Sequence, residues 1–223
     1  MPAGTITALR AQANDPQRVN IFIDGAFALG VSLNTISKEG LYVGKMLSEE
    51  EYARVAGAEG ADRALQAALR FLEARPRSTV EIRERLRRKA FEPDAISAVL
   101  DRLGELGLVD DAAFARFWVE NRQSSRPRGT GMLRDELRRK GIDRAVADTI
   151  LGDDHLVGDE AEQVWTLARA ALRKYAGAAD RATFMRRMGG YLQRRGFSFD
   201  TIRPVVEQLW SEIQGEPAED DRA

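Results

Sequence analysis

The residues with the clearest capacity for chemistry are arginines, and they recur in a pattern. RPRSTVEIRERLRRKAF occupies residues 75–91, and RPRGTGMLRDELRRKGI occupies 126–142, 51 residues further on. Nine of the 17 paired positions are identical, eight of them in Arg75, Pro76, Arg77, Thr79, Arg83, Leu86, Arg87 and Arg88, and the ninth in Lys89. The second copy presents Arg126, Arg128, Arg134, Arg138, Arg139 and Lys140 in the same places. Guanidinium groups offer a planar fork of donors that matches carboxylate and phosphate oxygens two at a time. On a helix Arg83, Arg87 and Arg88 stand opposite Ile82 and Leu86, and Arg134, Arg138 and Arg139 stand opposite Leu133 and Leu137. These twelve cations are therefore the candidate binding residues, for a phosphate backbone or an acidic protein surface. A solvated face paired internally with Glu84 and Asp135 is the competing reading.

Other chemistries find little material. The single histidine, His155, lies in the acidic connector LGDDHLVGDE, where a solvated loop position is expected. Asp110-Asp111 and Asp153-Asp154 each precede a helix, where an Asp side chain satisfies free N–H groups, so helix capping is preferred over metal ligation. Gly129-Thr130-Gly131 lacks the Lys-Ser/Thr of a phosphate loop and follows no strand. No catalytic residue, metal or cofactor is expected. The absence of cysteine excludes a disulfide framework and a thiolate zinc site. No run approaches the apolar length of a membrane helix and no signal peptide is visible, so a soluble, cytoplasmic monomer is expected.

The elements that would carry these arginines are mostly helical. Residues 1–60 read as a small antiparallel β-meander of three strands, with Asp24-Gly25 as a type I′ hairpin turn, followed by a short helix opened by the capping box Ser48–Glu51. Gly57 and Gly60 place a boundary near residue 60. From there three cycles of three helices follow, over 61–108, 109–157 and 158–214. Leu65, Leu69 and Leu72 begin the first, Phe114, Phe117 and Trp118 the second, and Trp165, Leu167, Ala168 and Leu172 the third. The third cycle repeats the motif as LQRRGF, with periods of 51 and 55 residues. Units of that length bury their faces partly against neighbours, which predicts an elongated array of tandem helix-turn-helix-like repeats. The third cycle and its flanks, 153–223, carry a net charge of −3 and read as acidic, and the tail over 215–223 reads as disordered.

The segments ARPRSTVEIRERLRRKAF, VLDRLGELGLVDDAAFARFWVENR and LRDELRRKGI together resemble the RecX family of bacterial RecA regulators. The Gly-Leu-Val-Asp-Asp run with its Phe-Ala at 107–115 and the Glu-Leu-x-x-Lys-Gly-Ile run at 136–142 carry the resemblance, which spans about 62–214. The β-rich start is similar to the extension of longer members. The chain departs from the pattern at Ala90, where the other two copies have Gly141 and Gly196. The resemblance implies tandem three-helix repeats, binding along the RecA–DNA filament, and inhibition of RecA in the regulation of DNA repair, recombination and the SOS response. It implies no catalysis. Direct contact with single- or double-stranded DNA through the basic helices is a further possibility. A stand-alone helix-turn-helix transcriptional regulator is the alternative, although the third helices offer acidic and aliphatic side chains where a base-reading helix carries Asn, Gln, Ser or Arg.

Overall fold

The computed structural model describes residues 3–215. The chain is mainly helical, with three three-helix units following an antiparallel sheet. It begins with β1 (Gly4–Gln12), β2 (Asp15–Ile23) and β3 (Ala26–Ser32). The hairpin between β2 and β3 turns on Asp24 and Gly25 at φ 49° and 83°, the doubly positive geometry a type I′ turn requires. Ile6, Val19, Ile21, Ile23 and Val31 face one side and are buried, as the two-residue period dictates. After α1 (Leu33–Lys38), β4 (Met46–Leu47) pairs with β1 through Gly4↔Leu47, so the sheet has four strands in the order β3-β2-β1-β4. The expected three-stranded meander is thus corrected. A two-residue strand has no alternation to read, and only its pairing partner defines it.

The helix after the sheet is also longer than its sequence suggests. Ser48 and Glu51 form the expected capping box, but α2 (Glu49–Leu72) runs 24 residues without a break at Gly57 or Gly60. Each glycine costs about 1 kcal/mol relative to alanine in a helix. Burial on both sides of them outweighs that cost. Val55 packs into the sheet's core, and Ala64, Ala67 and Ala68 pack into the next one. Between them Glu59, only 3% exposed, accepts from the Ser32 N–H at 2.8 Å and pairs with Arg18 at 2.8 Å, tying β2 and β3 to the helix. The buried stripe is alanine, while Leu65, Leu69 and Leu72 are only partly covered.

The first unit is completed by α3 (Thr79–Arg88) and α4 (Pro93–Glu105), around Ile82, Leu86, Ile96, Val99 and Leu103. The second comprises α5 (Asp111–Ser125), α6 (Thr130–Arg139) and α7 (Arg144–Leu151), with Phe114, Val119, Leu133, Leu137 and Ile150 inside. The acidic connector folds as the short helix α8 (Asp154–Val157), not as an open loop, with Val157 joining the second core and His155 exposed. The third unit comprises α9 (Glu160–Tyr175), α10 (Arg181–Gln193) and α11 (Phe199–Gln214), around Val164, Phe184, Met188, Leu192, Ile202 and Leu209. The aspartates behave as caps: Asp110 accepts from Ala112 and Ala113 N–H groups at 2.8 and 3.1 Å, and Asp153 from His155 N–H at 3.2 Å. Each three-helix unit closes its own core. The chain divides into two compact units at Val109/Asp110, and the tail beyond Gly215 lies outside the described residues.

Candidate partner-binding surface

The second helix of each unit carries the candidate cations, and local packing sorts them. On α3, Arg83, Arg87, Arg88 and Lys89 are exposed. Arg83 and Arg87 have no hydrogen-bond or ion-pair partner among the described residues, while Arg88 Nε returns to the Glu84 carbonyl at 3.3 Å. The entry arginines of the same copy are held differently. Arg75 grips the Glu81 carboxylate with both terminal nitrogens at 3.0 Å. Arg77 lies 3.9 Å above the Phe71 ring and donates to the Phe71 carbonyl at 3.2 Å. Burial, and then the neighbouring Arg75 charge, push its pKa below the ordinary arginine value. These two guanidinium groups close the turn into α3.

The second copy keeps the sequence and changes the partners. Arg134 Nε donates to Asp148 of α7 at 2.8 Å, and that bond, with Arg144 adding to it, holds the Asp148 carboxyl below its ordinary value. Ser97 stands at the equivalent place in the first unit, which leaves Arg83 without such a carboxylate. Arg138 meets Asp135 at 3.2 Å, and Arg139 Nε donates to the Asp135 carbonyl at 3.2 Å. Lys140 is half-buried, 4.7 Å above the Trp118 ring, on which Arg122 also stacks at 4.5 Å. Trp118 and Arg122 both donate to one oxygen of Glu136, each at 2.8 Å. Arg126 is exposed, since Met132 replaces the carboxylate that Arg75 finds in Glu81. Arg128 is half-buried, with one terminal nitrogen 3.0 Å from the Met132 sulfur and its buried Nε without an acceptor.

Arg128 stands where the second and third units meet. A Cβ on Gly129 would overlap the Gly196–Phe197 backbone, and one on Gly196 would overlap Met132. The Gly129 N–H donates to the Arg195 carbonyl at 3.0 Å, and the Thr130 N–H to Glu160 at 2.8 Å. The N-terminus of α6, which has no capping side chain of its own, is therefore satisfied by the third unit.

A second group of cations escaped the sequence reading. Lys174 at the end of α9 and Arg186, Arg187 and Arg194 on or just after α10 line one open recess with Tyr175. Residues 163–196 hold eight lysines and arginines against one carboxylate, Asp180. Averaging over 153–223 hid this, because acidic residues crowd both ends of that span. A shorter charge window would have found it.

Three-helix units with separate cores, each exposing cations from its second helix, define a helical-repeat protein. Comparison with known proteins narrows the class. The model of the RecX N-terminal domain matches residues 4–48, and those of the first, second and third RecX three-helix domains match 64–103, 110–151 and 159–206. The chain is 30% identical to the regulatory protein RecX of Bacillus licheniformis over 203 residues, covering 91% of this chain and 76% of that one. It is 40% identical to that of Mycobacterium avium over 139 residues, covering 62% of this chain and 79% of the relative. A crystal structure of a regulatory protein RecX superposes with a TM-score of 0.74 at 25% identity, covering 91% of this chain and 98% of that one. The RecX of Lactobacillus salivarius gives 0.59 at 27% identity over 68% of this chain. The chain belongs to the RecX family of regulatory proteins.

Proposed function

We propose that this chain binds the RecA–DNA filament and inhibits RecA in the regulation of DNA repair and recombination, acting in the cytoplasm as a monomer, without a cofactor or catalysis of its own. The observation that carries the reading is the exposed α3 face: Arg83 and Arg87 project without carboxylate partners, with Arg88 and Lys89 beside them. A cation without an internal partner retains its full capacity for an external carboxylate or phosphate. The same spacing returns on α6, where Arg134 and Arg138 are already paired. The first unit is therefore the stronger contact. The relatives' description as regulatory proteins supports the reading at the coarser level.

The test is RecA-driven ATP hydrolysis on single-stranded DNA, with and without the full chain. The rate should fall as the chain is added. The triple variant Arg83→Ala/Arg87→Ala/Arg88→Ala should weaken inhibition markedly, while each exposed substitution changes stability by only about 0.5 kcal/mol or less. Equal substitutions at Arg134, Arg138 and Arg139 should weaken it less. An unchanged hydrolysis rate with the parent chain would sink the proposal.

A further inference from the structure

We propose that the recess lined by Lys174, Tyr175, Arg186, Arg187 and Arg194 in the third three-helix unit holds the phosphodiester backbone of a nucleic-acid strand, without reading its bases. The site is separate from α3 and does not depend on the RecA reading.

Charge segregation is the first ground. Several carboxylates of this unit are engaged elsewhere: Glu207 bridges Arg181 and Arg203 at 3.1 and 3.2 Å, Glu212 holds Arg169 at 3.1 Å, and Asp159 and Asp180 cap α9 and α10. Lys174, Arg186, Arg187 and Arg194 are all exposed, and none has an ion-pair partner among the described residues. Asp180 lies close enough to Arg186 to feel its charge, and it is already occupied by the Thr183 N–H at 2.6 Å. Four uncompensated cations around one concavity repel one another. An anion with several charges relieves that repulsion.

Spacing is the second ground. Arg187 and Arg194 lie seven residues apart, two turns of helix and about 10 Å along the axis, on nearly the same face. Lys174 reaches the same recess from the neighbouring helix. An open recess with cations distributed along it suits an extended polyanion, whereas a small anion is held by an enclosed pocket with converging donors. Arginine forks match phosphate oxygens, and a row of them tracks a backbone.

The aromatic groups decide how much of the strand is read. Tyr175 is 9% exposed and packs against Tyr191 at 5.7 Å. Arg195 covers the Tyr191 ring at 4.5 Å, and Lys174 sits 5.6 Å from the Tyr175 ring. With these rings already covered, stacked bases find no platform of the kind that single-strand binders supply. Contact is left to phosphates, and affinity should be indifferent to sequence and strongly dependent on salt.

The experiment is fluorescence anisotropy of a labelled oligothymidylate with the full chain alone, across a series of salt concentrations. The parent should bind, and Arg186→Ala/Arg187→Ala/Arg194→Ala should bind about tenfold or more weakly, with a slope of log K on log salt smaller by about 2. Circular dichroism checks folding, and Lys174→Ala/Arg187→Ala provides a milder variant should the triple one unfold. The α3 triple variant serves as the comparison and should retain most of the affinity. The proposal is overturned by a parent that binds no oligothymidylate at low salt, or by recess variants that bind like the parent with the same slope. It is also overturned if polyglutamate of equal charge competes as well as unlabelled oligothymidylate, which would make the ligand an acidic protein segment. Because RecA is absent from the assay, failure of either proposal leaves the other standing.

Discussion

Ala90, Gly141 and Gly196 occupy one structural position, the turn between the second and third helix of each unit, at φ 58°, 78° and 88°. A left-handed residue there ends the helix, and a Cβ in that region costs about 1–2 kcal/mol. Alanine carries that strain in the first unit. Replacing Ala90 with glycine should relieve it, offset by about 0.4–1 kcal/mol of extra chain entropy in the unfolded state. The net expectation is a gain of about 0.5–1 kcal/mol, read as a higher midpoint in urea. The reverse change at Gly196 differs in kind, because the added Cβ would also overlap Met132 across the junction of the second and third units. Gly196→Ala should cost more than about 2 kcal/mol. A Gly196→Ala protein as stable as the parent would contradict the close approach described above.

Among the elements, α2 departs most from its sequence. Gly57 and Gly60 look like a boundary, yet both lie inside one helix, and a Cβ at either would meet nothing within 4 Å. Alanine at each should therefore stabilise the protein by about 0.5–1 kcal/mol, nearly additively. Thermal unfolding of the single and double variants checks this, and a loss of stability would mean that the chain needs flexibility there. The N-terminal elements were otherwise largely legible. Asp24-Gly25 announced the hairpin and Ser48–Glu51 the start of α2, since each signal lies within four residues of the structure it specifies. Strand β4 was not legible, because Met46 and Leu47 become a strand only by meeting Gly4 and Thr5. The buried alanines of α2 were overlooked for a related reason. Close helix packing selects small residues, while a hydrophobic stripe draws attention to large ones.

For the whole molecule, four separate hydrophobic cores and a division at Val109/Asp110 predict that unfolding is not a single event. The tryptophans offer a simple test. Trp118, Trp165 and Trp210, all three in the chain, lie on the C-terminal side of that division, in the second and third three-helix units. Tryptophan fluorescence therefore follows residues from 110 onward, whereas far-ultraviolet circular dichroism follows helices on both sides of the division. The two urea curves should separate, and coincident transitions would show that the units unfold as one.

The sequence by itself determined the three-helix period, the helix starts, the hairpin and the family, because each rests on identities or on contacts between near neighbours in the chain. Only the tertiary structure decided which cations are available. Arg83 and Arg134 occupy equivalent places in nearly matching segments, yet Arg134 is held by Asp148, 14 residues away, whereas the position equivalent to Asp148 in the first unit is Ser97, which carries no charge. Arg75, Arg77, Arg128 and Lys140 are likewise occupied by Glu81, Phe71, Met132 and Trp118. Lys174, by contrast, joins Arg186, Arg187 and Arg194 in one recess only because α9 and α10 pack side by side. A charge is visible in a sequence wherever it stands. Whether it is neutralised depends on side chains that folding brings within about 4 Å, and that distance has no counterpart in residue order.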